Sequence, residues 1–228
     1  MLQTIGCITI GLAPRPDLLT SLPRGFELLE EGVLNQLPRE KWEEVRPDPE
    51  SPFLVSQVEE REVFLDSRKI EPYLEQAAIS LVQRGAEMII YLCSAPLPRV
   101  QLEIPQLIPF ALTRPLIDNL LPRGNLGLII PDFRQKEMFE NNWQETPRKL
   151  FLLPQSPYGV EAFSRDEIKI LENCDLILAD CLGYDLSLRL LLQGQITTPI
   201  ILIRELLGLF LQQMQSGHKK SGGKEHEK

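Results

Sequence analysis

Histidine is almost absent from this chain of 228 residues. The two that occur, His218 and His226, both lie in the polar terminal stretch SGHKKSGGKEHEK. The body of the chain thus has no imidazole, which removes Ser-His-Asp and Cys-His hydrolase chemistry and most catalytic zinc sites. The four cysteines (Cys7, Cys93, Cys174 and Cys181) show no C-x-x-C spacing, so no metal cluster or thioredoxin-type motif is expected. The 14 glycines form neither G-x-G-x-x-G nor G-K-[ST], which leaves nucleotide binding without support. No metal or cofactor is expected. Positive charge is also scarce: 24 Lys and Arg against 32 Asp and Glu give a net charge of −8. That balance argues against an electrostatic grip on nucleic acid or on an anionic membrane. No apolar run approaches the roughly 20 residues that span a bilayer, and mean hydropathy is −0.10. The opening MLQTIGCITIGL lacks a basic segment and a small-residue cleavage site, so it reads as a first strand rather than a secretion signal. Together these absences point to the cytoplasm.

Strand-like apolar runs alternate with helical segments, the pattern of an α/β protein with largely parallel sheets. Strands are expected at Ile5–Ile10, Phe26–Leu29, Met88–Leu92, Leu126–Ile130, Lys149–Leu153, Asp175–Ala179 and Ile200–Leu202. Helices are expected at Ser67–Gln83 with Gly85 as its stop, Pro115–Leu121, Gln135–Trp143, Ser164–Glu172, Asp185–Leu192 and Ile203–Met214. Ser164 and Glu167 form a capping-box signature. Residues 38–62 are an acidic excursion with four prolines, carrying a short edge strand at Phe53–Val55; Val63–Leu65 adds another. TIGCITIGLAPRPDLL resembles NLGLIIPDFRQKEMF, and EMIIYLCSAP resembles DLILADCLGY, so the chain reads as two related lobes. The division is residues 1–112 and 113–202, a closing helix at 203–215, and a tail at 216–228 with no apolar content, read as disordered.

In open parallel sheets, ligands bind beyond the carboxyl ends of the strands, where loops and helix N-termini converge. The repeat puts Cys93 and Cys181 at equivalent strand ends. A thiol near loop amides or a helix N-terminus can become a thiolate near neutral pH. Two thiols facing one another from separate lobes could then remove and deliver a proton on opposite faces of one carbon, without metal or histidine. Core packing is the ordinary fate of cysteine, and it is the reading taken for Cys7 and Cys174. Asp180 could orient or deprotonate Cys181, although a neighbouring carboxylate raises a thiol pKa unless donors compensate. Gly183 would let backbone approach a ligand.

Thr9 and Gly11 end the first strand and would face the same cleft, and Arg15 in the following loop could hold a carboxylate. The commoner reading of Arg15 is a solvated side chain on a proline-stiffened turn. Ser67 and Arg68 could hold an anion at a helix start, but ordinary capping by Asp66 or Ser67 accounts for them equally. Asp132 follows the corresponding strand of the second half.

ITIGLAPRPDLL, DSRKIEPYLE and above all LILADCLGYD resemble the AroM family, over most of residues 1–215. That family is similar to the aspartate/glutamate/hydantoin racemase superfamily, which includes amino-acid racemases, maleate isomerases and arylmalonate decarboxylases. The resemblance implies two pseudo-symmetric α/β lobes, each a largely parallel sheet flanked by helices, with the ligand cleft between them and chemistry by one or two cysteines. The D-C-L-G segment carries the second-lobe motif onto Asp180, Cys181, Leu182 and Gly183, with Cys93 and Ser94 as the first-lobe counterpart. It supplies a fold and a site, not a substrate. The expected partner is a small carboxylate or related metabolite, and a homo-oligomer is left open. Three functions stay open: a cysteine-dependent racemase or isomerase, a one-thiolate decarboxylase, and a non-catalytic metabolite-binding or regulatory protein.

Overall fold

The computed structural model describes residues 2–49, 51–144, 147–159 and 161–215. The expected tail at 216–228, with both histidines, lies outside them. The first half runs β1 (Thr4–Thr9), α1 (Pro16–Leu19), β2 (Glu27–Gly32), two 3-10 segments (Val33–Gln36 and Arg39–Val45), β3 (Phe53–Val58), β4 (Arg61–Asp66), α2 (Glu71–Gln83), β5 (Met88–Tyr91) and β6 (Gln106–Leu107). The second runs α3 (Pro109–Leu120), β7 (Gly124–Ile130), a 3-10 turn (Phe133–Gln135), α4 (Lys136–Trp143), β8 (Arg148–Pro154), α5 (Arg165–Glu172), β9 (Leu176–Ala179), α6 (Leu186–Leu192), β10 (Ile200–Leu202) and α7 (Ile203–Met214).

Two four-stranded parallel sheets result, ordered β2-β1-β5-β6 and β8-β7-β9-β10. Each starts at an inner strand, places the second strand on one side and the third and fourth on the other, so the lobes are pseudo-symmetric. The register agrees: Ile5 pairs with Met88 and Ile8 with Tyr91, as Leu126 pairs with Leu176 and Ile129 with Ala179. Even the acidic residues that precede β5 and β9 do the same work. Glu87 accepts the backbone N–H of Thr4 at 3.0 Å, and Asp175 accepts that of Asn125 at 2.8 Å. Gly6 and Gly127 also correspond. A Cβ at Gly6 would lie 2.8 Å from Ile89 and 3.0 Å from Leu81, and one at Gly127 would lie 3.1 Å from Cys174. These glycines let α2 and α5 pack closely on their sheets.

Successive strand residues alternate between faces, and the cores follow that alternation. Cys7 and Ile90 share one core with Leu128, Leu178 and α7 residues Leu207 and Leu211, so inner faces of both sheets are buried together. Ile8, Ile89 and Tyr91 point outward to Leu74 and Leu81 of α2. Ile129 and Ile177 point the other way, to Leu171 of α5 and Leu188 of α6. Helix α7 returns to the first half, where Arg204 donates to the Asp17 carbonyl at 2.9 Å and Glu205 accepts from Ser21 at 2.6 Å.

Four sequence expectations need correction. The acidic excursion ends not in an edge strand but in a separate antiparallel hairpin, β3–β4, whose turn residues Glu59 and Glu60 both have positive φ, as a two-residue primed turn requires. Helix α2 starts at Glu71, because Asp66 accepts the backbone N–H groups of Arg68 and Lys69 and holds 67–70 in a turn. Helix α3 starts at Pro109, where the missing N–H is harmless, and carries Pro115 inside it. The proline-rich link contains β6, two residues long and held by pairing with β5.

Candidate active site

The loops after β1, β5, β7 and β9 converge on a narrow crevice of about 40 Å³, which has to widen for anything larger than a water molecule or two. Thr9, Arg15, Cys93 and Ser94 line it from the first half, and Gln135, Tyr158, Asp180, Cys181 and Gly183 from the second. Leu54, Val55 and Ser56 of the hairpin complete the wall. The strand ends are built alike. Leu92 donates to the Ile8 carbonyl at 2.7 Å and Asp180 to the Ile129 carbonyl at 2.9 Å, so Cys93 and Cys181 occupy equivalent positions. Both are free and partly exposed.

The two halves are tied at this point. The Ser94 hydroxyl donates to the Asp180 backbone carbonyl at 2.9 Å. The Asp180 side chain, 1% exposed, accepts from the Trp143 indole N–H at 2.9 Å. Burial pushes the Asp180 carboxyl up to about 7, and the Trp143 N–H and the nearby Ser94 hydroxyl oppose the rise. Burial likewise pushes Cys93 up to about 12, against the Ala95 amide, with Cys181 and Asp180 adding to the rise. Cys181 is pushed up to about 11 by burial; the Gly183 amide opposes this, Asp180 adds to it, and the charges of Arg204 and Arg15 oppose it. The Gly183 N–H donates to Cys181 Sγ at 3.3 Å. A Cβ at Gly183 would lie 2.6 Å from Pro157, so glycine is what admits the loop that carries Tyr158.

Arg15 departs from the commoner reading of a solvated arginine: it is 7% exposed. Its guanidinium pairs with Asp17 through Nε at 2.8 Å and Nη2 at 2.7 Å, and Nη1 donates to Ser56 at 3.4 Å. It also lies over the Tyr158 ring, 5.6 Å from the centroid. Burial opposes the charge, but Asp17 and Tyr158 outweigh it and raise the pKa of Arg15.

Four expected site residues do not line the crevice. Gly11 lies beneath the hairpin, where a Cβ would come 2.4 Å from Ser56 Oγ. Ser67 donates to the Pro52 carbonyl, and Arg68 to Ser51, at the base of the hairpin. Asp132 caps the 3-10 turn by accepting from the Arg134 backbone and pairs with the Arg134 side chain. Cys7 and Cys174 are buried in separate cores. Sequence reasoning passed over Ser56, Gln135 and Tyr158. Only Ser56 carried a signal, as a polar residue between Leu54 and Val58 on the inward phase of a strand. Among the described residues, no three His, Cys, Asp or Glu side chains cluster as a metal ion would need, and no helix is long and apolar enough to cross a membrane.

Two parallel-sheet lobes meeting at a shared strand-end crevice form an α/β architecture that recurs in solved structures of two racemases and a decarboxylase. The glutamate racemase of Aquifex pyrophilus superposes with a TM-score of 0.56 at 13% identity, over 94% of this chain and 84% of that one. The Picrophilus torridus aspartate racemase gives 0.53 at 11% identity, over 93% and 94%. An arylmalonate decarboxylase gives 0.55 at 13% identity, over 94% and 93%. At such identities the likeness is one of fold. The family model described as AroM protein matches residues 5–215, and the chain belongs to the AroM family. No curated protein matches it by sequence.

Proposed function

We propose that this protein transfers protons at a carbon next to a carboxylate, as a cofactor-independent racemase or isomerase. The observation that carries the reading is the pair of free thiols, Cys93 and Cys181, at equivalent strand ends on one crevice. Cys181 is the better base, because the Gly183 amide and the charges of Arg15 and Arg204 favour its thiolate. The substrate carboxylate would lie toward Arg15. Cys181 as thiolate takes the proton from the α-carbon, leaving a carbanion delocalised into the carboxylate. The Cys93 thiol then delivers its own proton to the opposite face. The product leaves with inverted configuration, Cys181 as thiol and Cys93 as thiolate, and the next turnover runs in reverse. We place this chemistry in the reducing cytoplasm, because both sulfurs must stay free.

In heavy water, the protein should catalyse deuterium incorporation at the α-carbon of a small carboxylic acid, and Cys181→Ser should abolish it. Incorporation that persists in Cys181→Ser removes that residue from the mechanism. Exchange that persists in Cys93→Ser moves the weight to a one-thiolate reaction such as decarboxylation. A non-catalytic binding role is favoured by one observation: burial pushes the two thiols up to about 12 and about 11, which keeps the crevice uncharged at sulfur. That role predicts ligand binding without exchange in the wild-type protein.

A further inference from the structure

Gln135 closes the 3-10 turn before α4 and is 3% exposed, yet only half of its amide is satisfied. Its Nε2 donates to the Phe53 carbonyl of the hairpin at 2.8 Å. A carbonyl can only accept, so this bond fixes which end of the amide is which. The other end, Oε1, is buried and receives no hydrogen bond from the described residues. Asp180 repeats the pattern: Oδ2 accepts from Trp143, and Oδ1 is buried without a donor. Both residues line the crevice. Buried polar atoms in native proteins are rarely left unpaired, and here two such oxygens line one small space, of which the Gln135 oxygen can only accept.

Three nearby donors are committed elsewhere. Ser94 Oγ donates to the Asp180 carbonyl, the Gly183 N–H to Cys181, and the Arg15 guanidinium to Asp17 and Ser56. A ligand hydroxyl would supply the hydrogen that Gln135 Oε1 lacks. Arg15 Nη1, whose bond to Ser56 is long at 3.4 Å, is the donor best placed to take a ligand carboxylate. The Gln135 amide is uncharged, so a neutral hydroxyl suits it better than an ammonium, which needs a fixed anion. Among the described residues, the one carboxyl group in the lining is Asp180, which burial holds toward its neutral form.

We infer that Gln135 is a specificity-determining residue and that the crevice takes a hydroxy carboxylate, its hydroxyl donating to Gln135 Oε1 and its carboxylate facing Arg15. The inference rests on the reading of the crevice as a substrate site.

Calorimetric titration of the full chain with lactate, alanine and propionate, and with mandelate, phenylglycine and phenylacetate, tests it. In at least one series the hydroxy acid should bind tighter than the unsubstituted acid by roughly tenfold or more, and tighter than the amino acid. Gln135→Met should bring that ratio close to one. Gln135→Glu loses the Phe53 bond equally but keeps an acceptor, so it should retain the hydroxyl preference and gain affinity for the amino acid. A tether that serves only the hairpin would make the two variants behave alike, and that overturns the inference. So would equal binding of hydroxy and unsubstituted acids, a wild-type preference for the amino acids, or no binding by any of the six. A Gln135-dependent preference without α-proton exchange would defeat the proton-transfer reading alone. Exchange without any hydroxyl preference would defeat this inference alone.

Discussion

The Ser94 hydroxyl donates to the Asp180 backbone carbonyl at 2.9 Å, and this one bond joins the two strand-end loops that carry Cys93 and Cys181. Both partners are buried, and each is the chain neighbour of one of the two thiols. Ser94→Ala should cost about 0.5–1.5 kcal/mol of stability, plus a penalty for the carbonyl left unpaired. Denaturant unfolding would measure it. Proton exchange should fall more than this loss explains, because Cys93 and Cys181 would no longer hold a fixed spacing. Unchanged exchange in a destabilised protein would show the bond to be merely structural.

Asp180 predicts a pH dependence of stability. Its folded pKa of about 7 lies above the ordinary carboxyl value, so the native state keeps a proton that the unfolded chain has lost. Stability from this group is therefore full below about pH 4 and declines as pH rises toward 7, by about 1.4 kcal/mol per unit. Above that it stays level. Asp180→Asn keeps an acceptor for Trp143 and removes the titration. Thermal or denaturant unfolding from pH 4 to 8 should show a flatter profile for the variant, with its advantage greatest at pH 8.

The thiols should react slowly at neutral pH. With Cys93 raised to about 12 and Cys181 to about 11, the rate of alkylation should climb about tenfold per unit from pH 7 to 10 with no plateau, and Cys181 should lead. Mass-resolved iodoacetamide labelling would follow each site. Exchange catalysis should rise with pH over the same range, since it needs the Cys181 thiolate. A plateau near pH 8 would mean that the crevice stabilises a thiolate far better than its burial implies.

The matched glycines offer a stability test of the pseudo-symmetry. Gly6→Ala forces a Cβ to 2.8 Å from Ile89 and should cost about 1–3 kcal/mol. Gly127→Ala, with its nearest neighbour a sulfur at 3.1 Å, should cost less. Urea unfolding would rank the two.

Local signals gave the architecture its clearest features. Ser164 and Glu167 form the capping box that their spacing announces, β10 and α7 fall where their apolar runs put them, and the acidic residues before β5 and β9 prove to anchor β1 and β7. Legibility failed where tertiary contact overrides local pattern. Strand β6 is two residues that count as a strand only beside β5, and α3 runs through Pro115, which locally reads as a start. The site divides the same way. The strand-end cysteines were readable because they follow buried strands in a repeated pattern. Arg15 is legible as a candidate carboxylate partner, but its burial is not, because that depends on Asp17, on Tyr158 and on Ser56 of a hairpin folded over it. Gln135 gave no signal either, since what sets it apart is an acceptor that the fold leaves unpaired.

The most direct test of two opposed thiols is where the label goes when a single enantiomer of an accepted acid turns over in heavy water. If Cys181 removes the proton and Cys93 returns one on the opposite face, deuterium will appear in the inverted enantiomer at early times while recovered starting acid stays unlabelled. Equal early labelling of both enantiomers would mean that one base serves both faces, and would contradict the account.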